Sequence, residues 1–561
     1  MRRWTPKLFL CLRGYTRHDF TADLIAGITV GLVALPLAMA FGIASGVKPE
    51  AGIYTAIVAG FLISALGGSR VQIGGPTGAF VVIVAGIIAQ HGLSGLLMIT
   101  LMAGVLLLLM AWSGLGKAVG FIPRPVTIGF TNGIALLIVS TQIKDFFDIN
   151  TGAHAMPSEF IPRIRLLIQN FGTAHLPTVA LASASLLLII LWPRLNRRIP
   201  GMIVALIAGT LATAIFDLPV VTIGSRFGGI PTGFPRIAIP EFRADLILPL
   251  LPSAITVALL AAIESLLSAV VADSMTGDRH DSSVELVAQG VANVVVPLFG
   301  GIPATGAIAR TATNIRSGAR TPVAGMIHAL TLLVIVLVAA PLARFVPLAT
   351  LAAVLLVVAY NMGEWREIGP ILRLSGADIA VWWATFLLTV MADLTVAVEV
   401  GMVLASLLYI YRISETTTVS TVTDEYIEDG RLHTLQDKQV PDYVSILRIH
   451  GPFLFGTTEK LIEATADLTP FAPIVVLRLR NMTALDATGL HAIESLADRL
   501  HDSGRTLLIC GARDQPASLI ERSNLYEHVG TDGSLPHIEA ALARARELMA
   551  QRENTPTLPA K

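Results

Sequence analysis

The sequence predicts an α-helical membrane protein of about 14 spans, built as a 7+7 inverted repeat and followed by a small soluble α/β domain. Three observations carry that prediction. Of 561 residues, 53% are hydrophobic and 14% charged, and mean hydropathy is +0.69, which is too apolar for a chain that folds in water. Two segments opened by glycine and proline, at Gly74-Gly75-Pro76 and Gly300-Gly301-Ile302-Pro303, are too short to cross a bilayer and sit at matching places in the two halves. After Arg412 the long apolar runs stop.

Residues 1–20 are a basic lead with Lys7, Arg13 and Arg17, read as cytoplasmic. The apolar run that follows is longer than a signal-peptide core and reads as a retained first span. The membrane domain covers 21–412. Its candidate spans fall near 22–46, 51–67, 77–91, 95–114, 126–143, 175–192 and 200–217, then 248–272, 284–299, 304–317, 322–341, 346–362, 377–392 and 394–412. Gly301 follows Gly75 by 226 positions, and the eighth span follows the first by the same interval. An odd number of spans per unit makes the second unit enter from the opposite side, so the units are inverted. Lys and Arg are about twice as frequent on the side of the N-terminus as on the other, which puts both termini in the cytoplasm; the membrane expected is the inner one.

The two short segments organise this reading. Pro303 suits the first turn of a helix, where its missing N–H is no loss. Arg320 and Pro322 close that helix after roughly 14 residues, about 21 Å at 1.5 Å per residue, against a hydrocarbon core of roughly 30 Å. The segment opened by Gly74-Gly75-Pro76-Thr77-Gly78-Ala79-Phe80 ends near His91-Gly92 and is as short. Half-helices at membrane depth start inside the protein, with free N–H groups facing a cavity. Two such N-termini converging near the midplane form an anion site. Its expected donors are the backbone groups of Gly78, Ala79, Phe80, Ala307, Ile308 and Ala309, with Arg310 adding a full charge. Glu264 lies in an otherwise apolar span, where an acid reads as a titrating or cation-binding group. Asn132, His328, Asp393 and Glu399 read as interhelical hydrogen-bonding groups.

Residues 413–440 are polar and read as a linker. From 441 to 552 the pattern is α/β. Strands are expected at Val444–Ile449, 473–479 and 506–510, with helices near 457–467, 488–503, 515–523 and 535–551. Residues 553–561 read as a disordered tail. The charge balance of zero argues against a nucleic-acid partner. Cys11 and Cys510 lie far apart without metal-ligand spacing, so no metal or cofactor is expected.

The chain resembles the sulfate permease (SulP) anion transporters with a C-terminal STAS domain. The residues that carry the resemblance are Lys48-Pro49-Glu50-Ala51-Gly52-Ile53-Tyr54-Thr55 with Gly67-Gly68-Ser69-Arg70, Arg124-Pro125-Val126-Thr127-Ile128-Gly129-Phe130-Thr131-Asn132-Gly133, Ile263 through Asp273, and Gly300 through Gly325. It implies core and gate domains, elevator-like movement, a homodimer embedded in lipid, and a small anion such as sulfate, bicarbonate or a dicarboxylate as substrate. It also implies that Phe41 and Phe80 flank the anion, that Arg310 is its counter-charge, and that Glu264 with Ser268 takes part in coupling to a cation. Sodium-coupled relatives carry an aspartate and a tenth-span hydroxyl where this chain has Glu264 and Ile308, so H⁺ is expected rather than Na⁺. A sodium-coupled or uncoupled carrier or channel, and a STAS-based scaffold or sensor, are the alternatives. Asp486-Ala487-Thr488-Gly489 resembles the loop in which some STAS domains are phosphorylated, at Thr488 here, and the domain is a place for a cytoplasmic partner. No enzymatic activity is expected.

Overall fold

The computed structural model describes residues 4–114, 123–152, 156–157, 159–196, 199–231, 233, 237–238, 243–392, 394–422, 440–530 and 532–553. They divide into two compact units, 1–405 and 406–561.

The first unit is helical. Its elements are α1 (Lys7–Cys11), α2 (Arg17–Ala44), α3 (Pro49–Leu66), β1 (Gly74–Gly75), α4 (Gly78–Ser113), α5 (Arg124–Phe147), α6 (Phe160–Gln169), α7 (Leu176–Leu195), α8 (Gly201–Phe216) and α9 (Ile223–Phe227). Then come α10 (Ile247–Thr276), α11 (Ser282–Val295), β2 (Thr305–Gly306), α12 (Ile308–Arg316), α13 (Val323–Ala343), α14 (Leu348–Met362), α15 (Ile368–Ile371), α16 (Gly376–Met391) and α17 (Leu394–Thr416), whose residues from 406 on belong to the second unit. Among the described residues, nine helices are long and apolar enough to cross a bilayer, and α8 and α16 are apolar but shorter. Asp393 lies outside the described residues, as does the side chain of Glu399.

Several helix starts follow from local chemistry. The Thr16 hydroxyl accepts from the Asp19 N–H while the Asp19 carboxylate accepts from the Thr16 N–H. This reciprocal cap starts α2 five residues before the expected span. Pro49 and Pro125 stand in the first turns of α3 and α5, where proline loses no intrahelical bond. The first short segment does break where expected. Gly92 has φ 68° inside α4, a left-handed conformation that glycine adopts without penalty.

The helices pack in two groups. One joins α2, α3, α4, α10, α11, α12 and α13, and the other joins α5, α7, α8, α14 and α16. Close backbone approach sets the first group. A β-carbon on Gly104 of α4 would stand 2.8 Å from the Gly290 carbonyl oxygen, and one on Gly290 of α11 would stand 2.9 Å from that of Gly104. Only hydrogen fits at both positions.

The second unit holds β3 (Thr418–Val422), β4 (Val444–Phe453), α18 (Thr458–Ala464), β5 (Ile474–Leu485), α19 (Ala487–Asp502), β6 (Thr506–Cys510), α20 (Asp514–Glu521), α21 (Leu525–Val529), β7 (Ser534–Leu535) and α22 (Ile538–Glu553). The sheet order is β3-β4-β5-β6-β7. β3 runs antiparallel to β4, and the other pairs are parallel. Alternate residues of β5 serve two cores. Val475, Leu477 and Leu479 pack with Ile493, Leu496 and Leu500 of α19, and Ile474 and Val476 pack with Ile538, Leu542 and Ala545 of α22.

The expected linker needs correction. Residues 413–416 end α17 and Thr418–Val422 is the edge strand, paired from Thr418↔His450 to Val422↔Ile446. A polar sequence suits a strand of this kind, because an edge strand has only one paired side. Residues 423–439 and 554–561 of the expected linker and tail lie outside the described residues.

Candidate functional site

β1 and β2 pair antiparallel, Gly74 opposite Gly306 and Gly75 opposite Thr305. Each strand feeds a helix directly, β1 into α4 and β2 into α12. Because the paired strands run in opposite senses, the helices leave the pair in opposite directions with both N-termini at its centre.

The second half-helix differs from expectation. It does not start at Pro303 or cover 304–317. α12 spans Ile308–Arg316, nine residues. The preceding backbone is held by tertiary bonds instead. Asn293 Nδ2 donates to the Ala304 carbonyl (2.8 Å) and its Oδ1 accepts from the Ala304 N–H (2.9 Å). The Ile302 N–H donates to Thr55 Oγ1 (2.8 Å), and Thr305 Oγ1 donates to the Ala261 carbonyl (2.7 Å). The residues facing β1 are Thr305 and Gly306, five positions on from the Gly300-Gly301 pair. The repeat interval changes with it: α2 and α10 start at 17 and 247, and α4 and α12 at 78 and 308, 230 positions apart in both cases.

Neither α4 nor α12 has a side-chain cap, so the first N–H groups of each lack intrahelical partners. Two of the expected donors are committed elsewhere. The Ala307 N–H donates to the Ile73 carbonyl at 2.8 Å, and the Phe80 N–H reaches the Thr77 carbonyl at 3.3 Å. Gly78, Ala79, Ile308 and Ala309 remain as first-turn donors. Thr77 stands at the N-cap of α4, a position its residue type usually caps. Its hydroxyl instead donates to Glu264 Oε2 on α10 at 2.7 Å.

Arg310 is 3% exposed, and its Nη2 donates to the Pro76 carbonyl. Arg310 and Glu264 thus hold adjacent residues at the head of α4 rather than each other. Ser268 Oγ lies 3.1 Å from Thr311 Oγ1, which accepts from the Ile73 N–H at 3.1 Å. Ser268 therefore ties α10 to α12 and to the approach to β1. A β-carbon on Gly78 would meet Ile138 Cδ1 and Met362 Sδ at 3.2 Å and Phe41 Cε1 at 3.4 Å. The N-terminus of α4 thus borders both helix groups. Phe41 and Phe80 are buried, whereas Ile308 and Ala309 are exposed. A cleft of about 430 Å³ runs along the first half of α4, lined by Ile83, Gly86, Gln90, Leu137, Glu159 and Thr389 among others.

Asn132 bonds between helices as expected, accepting from Trp382 Nε1 at 3.0 Å and donating to the Gly363 carbonyl. His328 does not: neither ring nitrogen has a hydrogen-bond partner. Two buried acids escaped sequence reasoning. Asp23 accepts from Tyr15, from the backbone of Arg320 and Thr321, and from the Thr321 hydroxyl. Glu285 accepts from the N–H groups of Gly68 and Ser69, from Ser265 and from Gln289. An acid inside an apolar run was the available signal for both. In the second unit, Asp486 caps α19 through the Gly489 N–H (2.8 Å) and also accepts from the Phe455 N–H (3.0 Å). Thr488 is exposed in the first turn.

Residues 20–385 match the model of the sulfate permease family, and residues 436–545 that of the STAS domain. The chain belongs to the sulfate permease family. Across 94% of this permease and 98% of the relative, it is 42% identical to YvdB of Bacillus subtilis, whose name carries a provisional assignment to sulfate transport. It is 32% identical to the bicarbonate transporter BicA of Picosynechococcus over 94% of this permease and 95% of BicA. Its fold matches the structure of the murine Solute Carrier 26 member A9 anion transporter in the inward-facing state. The TM-score is 0.85 at 18% identity, over 97% of this permease and 94% of that chain. This permease is a multi-pass membrane anion transporter with a STAS domain, and its relatives are transporters, not enzymes.

Proposed function

We propose that this permease is a secondary active carrier of a small anion (sulfate, bicarbonate or a dicarboxylate) driven by H⁺. The observation that carries the reading is the pair of uncapped helix N-termini meeting across β1–β2. Their dipoles and free N–H groups favour an anion, and Arg310 adds a full charge beside Pro76. The anion enters over the exposed first turn of α12, at Ile308 and Ala309, and binds against Gly78 and Ala79. Phe41 walls the site on one side. Phe80 and Ala307 hold its frame through the backbone bonds described above.

Glu264 carries the coupling proton. Its bond to Thr77 links its protonation state to the residue that heads α4, and Ser268 holds α12 to the same helix. The first group of helices moves as a core against the second, in an elevator-like manner, with the contact of Gly78 with Ile138 and Met362 made and broken in the cycle. The carrier works as a homodimer in the inner membrane with both termini cytoplasmic, and the STAS domain offers Thr488 and its surroundings to a cytoplasmic partner.

The test is uptake of sulfate, bicarbonate, fumarate and succinate into proteoliposomes at two pH values. Wild type is expected to accumulate one of them when an inward proton gradient is imposed, and Glu264→Gln to carry it without pH dependence. Loss of wild-type uptake under every gradient, or an unchanged pH profile in Glu264→Gln, refutes the reading.

A further inference from the structure

Among the described residues, the buried polar side chains of the first helix group that keep atoms without a protein partner include two nitrogen-bearing ones of functional interest. They are Nη1 of Arg310, and Nδ1 and Nε2 of His328. Arg310 is 3% exposed and His328 0%. The Gly325 carbonyl, one turn back from His328, interacts with the ring without meeting the distance and angle of a full hydrogen bond, and it can engage one nitrogen only. A buried guanidinium N–H and a buried imidazole are both costly to leave unpaired, and native structures rarely do so.

The two groups are neighbours. A β-carbon on Gly60 would stand 3.4 Å from His328 Nδ1 and Cε1 and 3.3 Å from the Gly74 carbonyl oxygen. One on Gly75 would stand 2.8 Å from Arg310 Nη1 and 3.4 Å from Ala56 Cα. Gly74 and Gly75 are the two residues of β1. Ala56 and Gly60 share a face of α3, four residues or about 6 Å apart along its axis. The imidazole and the guanidinium therefore both border the β1 dipeptide. No hydrogen bond joins the two groups directly, and a single bridging water, which needs polar partners on both sides, would satisfy both. Nη2 of the same guanidinium is already held by the Pro76 carbonyl, so the bridge would fix the remaining fork of Arg310.

We propose that Arg310 Nη1 and a ring nitrogen of His328 share an internal hydration site behind β1, and that His328 acts through it as a positioning residue for the charge of the anion site. Nη1 donates to the water, and the water donates to the unprotonated ring nitrogen. No contact between His328 and the anion is involved. The inference rests on the reading of Arg310 as the anion's counter-charge.

The experiment measures initial rates of sulfate uptake against concentration in proteoliposomes of the full chain, with bicarbonate as the probe if wild type does not carry sulfate. His328→Leu removes both nitrogens, and His328→Gln keeps a polar group able to hold the water. His328→Leu is expected to raise KM about ten-fold, equivalent to about 1.4 kcal/mol, with kcat little changed. His328→Gln stays near wild type, and His328→Leu adds nothing in an Arg310→Met background. A wild-type KM in His328→Leu, an equal rise in both variants, or a rise that adds to that of Arg310→Met overturns the proposal. If Arg310→Met itself leaves KM unchanged, the counter-charge reading fails as well; if Arg310→Met raises KM and His328→Leu does not, only the hydration site fails. A high-resolution map of the wild-type protein gives a check independent of variant folding. A peak within hydrogen-bond distance of both Nη1 and the ring supports the proposal, and its absence overturns it.

Discussion

Replacing Arg310 with Met tests the electrostatic core of the site. The side chain is 3% exposed, so its charge is poorly screened by solvent. Its Nη2 donates to the Pro76 carbonyl, one residue before the N-cap of α4. An anion held by the first-turn N–H groups would then sit roughly 7 Å from the guanidinium, and with an effective dielectric constant of about 20 a unit charge there contributes about 2.4 kcal/mol. That corresponds to a rise in KM on the order of fifty-fold. The substitution also leaves the Pro76 carbonyl without its donor, which costs about 1–3 kcal/mol of stability. A thermal melt in detergent must therefore accompany the uptake assay. Arg310→Lys separates the two effects, because it keeps the charge but loses the planar fork. It should recover most of the affinity. Wild-type KM in Arg310→Met, or equal losses in folded Met and Lys variants, would refute the reasoning.

Gly78→Ala places a methyl 3.2 Å from Ile138 Cδ1 and Met362 Sδ. Overpacking of that kind costs about 1–3 kcal/mol, so anion uptake should fall, and Ile138→Val, which removes the offending Cδ1, should restore part of it; no rescue would place the effect elsewhere. Asn293→Ala breaks both bonds to Ala304 and should destabilise the protein by about 2–4 kcal/mol, at roughly 1–2 kcal/mol per buried backbone group left unpaired, read as a lowered melting temperature. In the second unit the hydrogen bond to Asp498 holds His528 charged and raises its pKa above the usual value. The pair therefore stabilises the fold fully below the unfolded pKa of about 6.5, and the gain is lost as pH rises through the raised folded value. His528→Gln should lower the melting temperature slightly at pH 6 and leave it unchanged at pH 9, since an exposed pair contributes little.

Much of the candidate site was legible because its signals are local. Gly74-Gly75-Pro76 and the glycine-rich run from Gly300 interrupt apolar sequence, and Glu264 and Arg310 are charges where charges are rare. The start of α12 was not legible. Pro303 is an acceptable first-turn residue, but Asn293 and Thr55 bind the backbone of residues 304 and 302 and Ala261 accepts from the Thr305 hydroxyl, and those partners lie 11 to 247 positions away in sequence. The same holds for Ala307, whose N–H is used by Ile73, and for Thr77, whose hydroxyl is drawn from its own helix by Glu264.

Composition and hydrophobic periodicity by themselves determined that this chain lies in a membrane, carries an α/β domain after it, and contains two helices too short to span. These follow from the transfer of apolar groups out of water and from residues that break helices, both properties of short stretches of chain. Only the tertiary structure decided which glycine faces which, how long the second half-helix is, which backbone donors stay free, and that Arg310 and Glu264 grip the head of α4 rather than each other. Each of those outcomes is a competition among buried polar groups for partners, and the winner depends on which helices the fold brings within hydrogen-bond reach.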